Sequence, residues 1–407
     1  MMRVLVAALV MAQVLGAAAY ADEFKLTPSV AVRQEYNSNI FWDSSNEKDD
    51  FITRVKPGLE LVNRTERLDL RLAGFVTPYV YWNNENLNSV DQDYSGRVDY
   101  RLTPLLRLGA NAAVLVDHQP DRDIFTTGLA YGDNRRLRQN YGGNVGYMFT
   151  EKTSGSVTYG YTREDWRKGT SNTSNSDLED YDSHAVTLGL ARELGAATGV
   201  TIGLLNAGWA KYNYDTSDTD YYFSTVGVKH RLTEIFNVSA NVGARYTSST
   251  FDVQSLAIVP PGVSVVVTDQ QRDSGWGGIG QLAVEYAGES TRARLGASQD
   301  VTAQSGGQGI VQRTKLTFDG GHLLTEKLRL GLFTGLFRNK AGENEFGGQK
   351  VEEYSYSVGP SLRWEFYRDV TLEAGYSFTY LDNQADNESA SRHLGYIQIA
   401  YGLPLFE

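Results

Sequence analysis

The sequence predicts an all-β chain: a single transmembrane antiparallel β-barrel of about eighteen strands, with short periplasmic turns and long extracellular loops. Apolar and polar residues alternate along most of the chain, short turns alternate with long polar connections, and an apolar leader stands in front of both. From Val370 to Tyr380 the even positions are Val, Leu, Ala, Tyr, Phe and Tyr, while the odd ones are Thr371, Glu373, Gly375, Ser377 and Thr379. On an extended backbone this places one apolar and one polar face on the same strand. Tyr354 to Phe366 and Phe236 to Tyr246 repeat the pattern. Leu106 to Val116, Tyr141 to Phe149, Val157 to Tyr161, Val186 to Leu190 and Ala293 to Val301 follow it less cleanly, and Gly309 to Thr325 is polar on both faces.

Counting such segments gives strands near 28–41, 50–62, 67–82, 91–102, 105–117, 138–149, 153–166, 181–194, 199–213, 220–232, 235–250, 274–287, 291–303, 309–325, 327–339, 352–367, 369–381 and 392–406. Turns such as Thr103-Pro104, Thr233-Glu234 and Thr325-Glu326 connect one side. The other side carries polar stretches at 42–49, 83–90, 118–137, 167–180, 214–219, 251–273, 304–308, 340–351 and 382–391. A sandwich or propeller has no reason to sort its connections this way, and no repeat of blade length is present.

The leader has Arg3 ahead of an apolar run from Val4 to Ala19, and Ala19-Tyr20-Ala21 fits the small-x-small cleavage pattern. Residues 1–21 therefore read as a signal peptide and 22–407 as the barrel. A permanent helical anchor fits less well, because the run carries Gln13 and is followed by Asp22 and Glu23. The chain contains no cysteine, which excludes lipoprotein acylation, disulfides and Cys-x-x-Cys-His haem attachment. Its 25 tyrosines against 9 prolines favour strands.

Which face meets lipid follows from electrostatics. A basic residue at the bilayer midplane costs about 2 to 4 kcal/mol. The charged face is therefore expected to line a polar lumen, with Arg54, Lys56, Glu60, Arg71, Arg97, Asp99, Arg101, Arg107, Arg245, Arg292, Arg294, Arg313, Lys315, Arg363, Glu365 and Glu373 pointing inward. Aromatic residues near the strand ends, Tyr79, Tyr81, Trp82, Trp166, Tyr212, Tyr221, Tyr222, Tyr246, Tyr354, Tyr356, Tyr380 and Trp364, are expected at the membrane interfaces.

No catalytic, cofactor or metal site is expected. His118, His184, His230, His322 and His393 fall one to a segment, without zinc-site spacing. Ser183 and His184 are adjacent, so a strand points them to opposite faces. The balance of 38 basic to 49 acidic residues, a net charge of −11, and the lack of a basic stripe argue against nucleic acid as a partner. Acidic groups gather in the loops, at Asp43, Glu47, Asp49 and Asp50, at Asp177 to Asp182 and at Asp215 to Asp220. They read first as solvated loops, and second as sites for divalent cations beside lipopolysaccharide phosphates.

The stretch Val32-Arg-Gln-Glu-Tyr-Asn-Ser-Asn-Ile-Phe41, with Asp50-Phe-Ile-Thr and Pro57-Gly-Leu-Glu-Leu61, resembles a β-barrel porin family often encoded beside exopolysaccharide synthesis and export genes. The likeness covers the first hairpin in detail and the remainder only as pattern. It implies eighteen strands and a part in exopolysaccharide export, with outer-membrane lipid, lipopolysaccharide, the barrel-assembly machinery and export-complex proteins as partners. One departure is the C-terminus: assembly signals end on an aromatic residue, whereas this chain ends Phe406-Glu407, with Tyr401, Leu403 and Leu405 still alternating.

The leading expectation is a passive channel in the outer membrane, since a barrel this wide keeps an aqueous interior unless a loop fills it. The alternatives are a structural sheath around a partner such as a multihaem cytochrome, and a general diffusion porin. Loops 118–137 and 251–273 are long enough to plug the lumen. The second contains Leu256-Ala-Ile-Val-Pro-Pro-Gly-Val-Ser-Val-Val-Val267, which reads either as an extended hairpin turning at Pro260-Pro261-Gly262 that lines the pore mouth or docks a partner, or as two arms that simply prolong their strands beyond the membrane.

Overall fold

In a hydrocarbon solvent every backbone amide and carbonyl needs a partner within the protein, and a sheet achieves this only by closing on itself. The computed structural model is such a closed sheet. It describes residues 23–118, 134–168, 178–195, 199–259, 263–304, 307, 309–342, 346, 350–385 and 387–405, with side chains for all of these except 168, 253–259 and 263–267. The leader, the inward folding of loop 118–137 and the Pro260-Pro261-Gly262 tip lie outside the described residues.

The strands are β1 Glu23–Asn37, β2 Asp50–Arg64, β3 Leu68–Tyr81, β4 Ser89–Arg101, β5 Leu106–Asp117, β6 Asn134–Thr150, β7 Thr153–Lys168, β8 Tyr181–Leu194 and β9 Val200–Tyr214. The circuit continues with β10 Ser217–Arg231, β11 Phe236–Val259, β12 Val263–Ala287, β13 Thr291–Ala303, β14 Ile310–Leu323, β15 Leu328–Ala341, β16 Val351–Tyr367, β17 Val370–Asn383 and β18 Glu388–Gly402. Each pairs antiparallel with the next, and β1 pairs with β18 from Ser29↔Gly402 to Asn37↔Leu394, which completes the eighteen-stranded ring. Leu403 and Leu405 prolong that last ladder, donating their amides to the carbonyls of Pro28 and Leu26. Both described chain ends thus sit at the short-turn end.

Several boundaries differ from the sequence reading. β1 runs from Glu23 to Asn37, β6 starts at Asn134, β10 at Ser217 and β18 at Glu388. The stretch 251–273, placed among the long connections, is mostly strand, as the reading of its arms as prolonged strands has it: β11 and β12 pair up to Val259↔Val263. Beyond the membrane the outer face of a strand also meets water, so polar residues occupy both faces and alternation fades while the hydrogen-bonded ladder of β6, β10, β11, β12 and β18 continues. The β3–β4 connection also contains a 3-10 turn at Glu85–Leu87.

Residues directly opposite across a ladder share a face, so the registers carry one face around the ring. On the outer one lie Val32, Val55, Leu108, Val145, Leu188, Val226, Val242, Leu316, Leu362 and Ile397, all exposed. Aromatic pairs such as Tyr36 with Phe51 and Tyr246 with Trp276 lie on the same face near the loop end. Four of the five histidines also sit on this face, bonded to hydroxyls: His184 to Tyr159, His393 to Tyr376, His230 to Thr201 and His322 to Thr291.

The two faces should answer oppositely to one substitution. Val226→Arg, directly opposite Val242 on the outer face, is expected to lower stability by about 2 to 4 kcal/mol. Thr225→Arg, one residue earlier and facing inward, is expected to change it little. Urea unfolding in lipid vesicles measures both.

Candidate functional site in the barrel interior

The inner face is identified by a bond between strands that are not neighbours. Tyr221 on β10 donates its hydroxyl to Asp300 Oδ1 on β13 at 2.6 Å, a reach that only the interior permits. Carried around by the registers, this face holds Arg54, Lys56 and Glu60 on β2, Arg71 on β3, Arg97, Asp99 and Arg101 on β4, and Arg107 on β5. It also holds Arg245 on β11, Arg292 and Arg294 on β13, Arg313 and Lys315 on β14, Arg363 and Glu365 on β16, and Glu373 on β17. These residues share a face but not an environment.

Towards the short-turn end the interior is wide and wet. The side chains of Arg97 and Arg294 are 68% and 59% exposed although both point inward. Arg71 and Arg97 face each other directly, as do Asp69 and Asp99, an arrangement that repels across the ladder. Each arginine turns instead to the acid two residues along its own strand, Arg71 to Asp69 at 3.1 Å and Arg97 to Asp99 at 2.6 Å. Arg363 pairs with Glu373 at 3.3 Å. Arg101 and Arg107 are also directly opposite, with no acid partner among the described residues.

Towards the loop end the interior closes in. Arg136 is bonded to Asp117 at 2.6 Å, Glu164 takes Arg138 at 2.5 Å and the indole nitrogen of Trp166 at 3.0 Å, and Glu35 bridges Arg33 and Arg54. Arg313 donates to Asn339, which in turn donates to Glu353. Buried charges need such partners, since a lone one would lose several kcal/mol of hydration. Sequence reasoning named none of Asp117, Arg136, Arg138 and Glu164: Arg136 fell in the stretch 118–137 read as a loop, and the other three near the ends of expected strands. The signal was there: the inward even positions Gly146, Asn144, Gly142 and Asn140 continue back through Arg138 to Arg136.

The acidic loop residues turn out to tie the rim together. Asp50 accepts hydrogen bonds from the backbone amides of Trp82, Asn83 and Asn84, each at 3.0 Å. Asp43 accepts the amides of Ser45 and Asn46, which hold its carboxyl below the usual range. Glu179 accepts the hydroxyl of Thr216, while burial pushes its carboxyl up. Asp180 accepts the amide of Trp166. Asn39 is fully buried and bonds to the carbonyls of Asp43 and Ser391, pinning the first loop to β18.

One stretch of wall departs from the simple ring. β12 and β13 pair only from Gly280↔Gln299 to Ala287↔Arg292, although both strands continue towards the loops. Above that level Val301, Ala303 and Ile310, which alternation assigns to the outer face, are buried to 7%, 5% and 2% exposure. Gln312 shares that face, yet its Oε1 accepts from Nη2 of Arg245, an inward residue of β11, at 3.0 Å. The two facts together place the upper parts of β13 and β14 inside the wall formed by β10 to β12. Phe346 and Tyr214 complete an apolar cluster there. This tuck narrows the loop end of the lumen and covers the ladder edge that the broken pairing leaves.

Beside a concave region of about 500 Å³ on the β5–β9 wall, two others lie in the interior. One, about 470 Å³, lies on the β1–β4 and β17–β18 wall, where Arg33 stacks on Tyr396 and Arg54 on Tyr79. The other, about 390 Å³, lies on the β8–β14 wall beneath the tuck.

If the tuck restricts the lumen, loosening it should widen the path. Tyr221→Phe combined with Gln312→Ala removes both cross-wall hydrogen bonds to charged groups, each contributing about 1.5 to 3 kcal/mol. The expected outcome is a larger and noisier single-channel current with unchanged strand content by circular dichroism. A current identical to that of the parent protein would show that the constriction lies elsewhere.

Residues 17–127 match the model of a family described as "Putative beta-barrel porin 2". No curated protein matches the sequence. Among solved structures, the ferric citrate transporter FecA in its unliganded form is similar with a TM-score of 0.51 at 9% identity, over 93% of this chain and 78% of that one. The ferric-catecholate import receptor Fiu of E. coli gives 0.49 at 10% identity, covering 92% and 81%, and OccK1 of Pseudomonas aeruginosa gives 0.45 at 11%, covering 93% and 98%. At such identities the likeness is one of fold. The chain has the closed antiparallel barrel of outer-membrane proteins, and its first strands are similar to a porin family.

Proposed function

We propose that this chain is a passive channel of the bacterial outer membrane, passing hydrophilic solutes through a lumen of mixed charge. The observation that carries the reading is the sidedness of the ring: apolar side chains cover its outside, while the wide turn-end interior is lined by solvated ion pairs. Such a lumen admits water and polar solutes and filters them by size and charge. Rows of both signs argue against a filter for a single sign of ion.

Exopolysaccharide is the cargo class we assign, on the strength of the first-hairpin resemblance and the polar lining. Lipid and lipopolysaccharide surround the barrel in this reading, and the assembly machinery inserts it. A sheath around a cytochrome would need the interior for that partner, and the loop-end interior is occupied by the chain's own side chains. A general diffusion porin would differ in forming trimers, which native mass in detergent resolves.

Reconstituted in planar bilayers, the protein lacking its leader is expected to give stepwise conductance that oligosaccharides reduce in a concentration-dependent way. A folded barrel that stays electrically silent would overturn the channel. Full conductance indifferent to every saccharide would remove the cargo assignment alone.

A further inference from the structure

The cavity beneath the tuck contains a feature that the registers make unambiguous. Asn241 on β11 lies directly opposite Gln281 on β12, Gln281 opposite Ser298 on β13, and Ser298 opposite Lys315 on β14. Four inward side chains therefore stand in one row at one height. Strand spacing gives the row a span of roughly 15 Å. All four line the same cavity of about 390 Å³, together with Phe223 and Ile279.

The chemistry of the row is specific. Asn241, Gln281 and Ser298 make no side-chain hydrogen bond among the described residues, and the Asn241 Oδ1 is itself buried without a partner. An amide offers both a donor and an acceptor, which suits a hydroxyl that also does both. Lys315 is exposed to the lumen and has no ion pair among the described residues. The nearby carboxylate, Asp300, is already engaged by the Tyr221 hydroxyl and by the amide of Val301. Phe223 and Ile279 add an apolar surface against which the C–H face of a ring can lie. A pocket whose lining is divided evenly between polar and apolar surface, with one open cation, is poorly suited to a hydrocarbon ligand and to a bare inorganic ion.

We infer that the row Asn241, Gln281, Ser298 and Lys315 is a binding subsite for a hydroxylated carboxylate, the chemistry of an acidic sugar. Amides and the serine hydroxyl take the ring hydroxyls, and the Lys315 ammonium takes the carboxylate. Its place under the constriction makes it a station where a solute pauses before the narrow part of the lumen. The inference deepens the channel reading and rests on it for its purpose, but binding itself can be measured without conductance.

The test is a saturation-transfer NMR titration of D-glucuronate against the full-length barrel in detergent, with D-glucose and acetate as comparison probes. Expected is saturable transfer from glucuronate, weaker transfer from glucose and none that saturates from acetate. Lys315→Gln should weaken glucuronate about tenfold while leaving glucose unchanged, because only the charged contact is lost. Gln281→Leu should weaken both sugars. Heat-modifiable migration on gels verifies that each variant is folded. No saturable glucuronate signal, an acetate signal equal to it, or an unaltered response in Lys315→Gln would overturn the subsite. A barrel that binds but never conducts would overturn the channel reading instead, and one that conducts without binding would overturn the subsite alone.

Discussion

Lipid offers no hydrogen bonds to a backbone, and nearly every feature of this chain follows from that single restriction. A free sheet edge within hydrocarbon leaves polar groups unpaired at several kcal/mol each, so the eighteenth strand must return to the first. Closure fixes which face is inside, and a period of two then assigns each residue to oil or to water. Between β12 and β13 the ladder stops short of the loop end, and there one wall overlaps another.

The same restriction explains why the interior is uneven. At the turn end the ring is open, and its arginines remain solvated beside acids of their own strands, pairs that contribute little stability. At the loop end the ring is crowded by its own connections, and the charges that remain there must be fully paired. Arg136, Glu164 and Arg138 form such a group, as do Glu35, Arg33 and Arg54. A solute entering from the turn end meets a polar vestibule first and a packed collar last. Asp50, which gathers the amides of three successive residues in the neighbouring connection, belongs to that collar.

Much of this was legible in the sequence, and what was not has a physical cause. Alternation through 370–380 or 236–246 announces both the strand and its inward side, because oil and water impose opposite demands on neighbouring residues. The strand count follows from the same signal. Oil-and-water alternation cannot report on the parts that rise above the membrane, where Asn134 to Leu137 and Asp252 to Val259 are still strand. Nor can it reveal the tuck. Val301 and Ile310 look like lipid-facing residues in sequence, and they are apolar for a different reason, since they rest on the inner surface of a neighbouring wall. Position in a strand predicts a face, whereas contact depends on how the walls overlap.

The residues that carry the family resemblance have a structural task, and this bears on what the resemblance can transfer. Asn39 is buried and holds the first loop to the carbonyl of Ser391, while Ser38 and His393 exchange hydrogen bonds beside it. Trp42 lies under Arg392, and Tyr36 rests on Phe51 at the outer surface. The motif therefore marks the place where the two ends of the sheet are joined near the loop end. A likeness built on it speaks first for a ring closed in this manner, and it supports the cargo assignment only together with the polar lining. In the proposed reading, what the lumen accepts is set on the far wall, at β11 to β14, by side chains such as Gln281 and Lys315 that lie outside the matched stretch. The residues that close the ring and those proposed to face the solute are therefore separate sets.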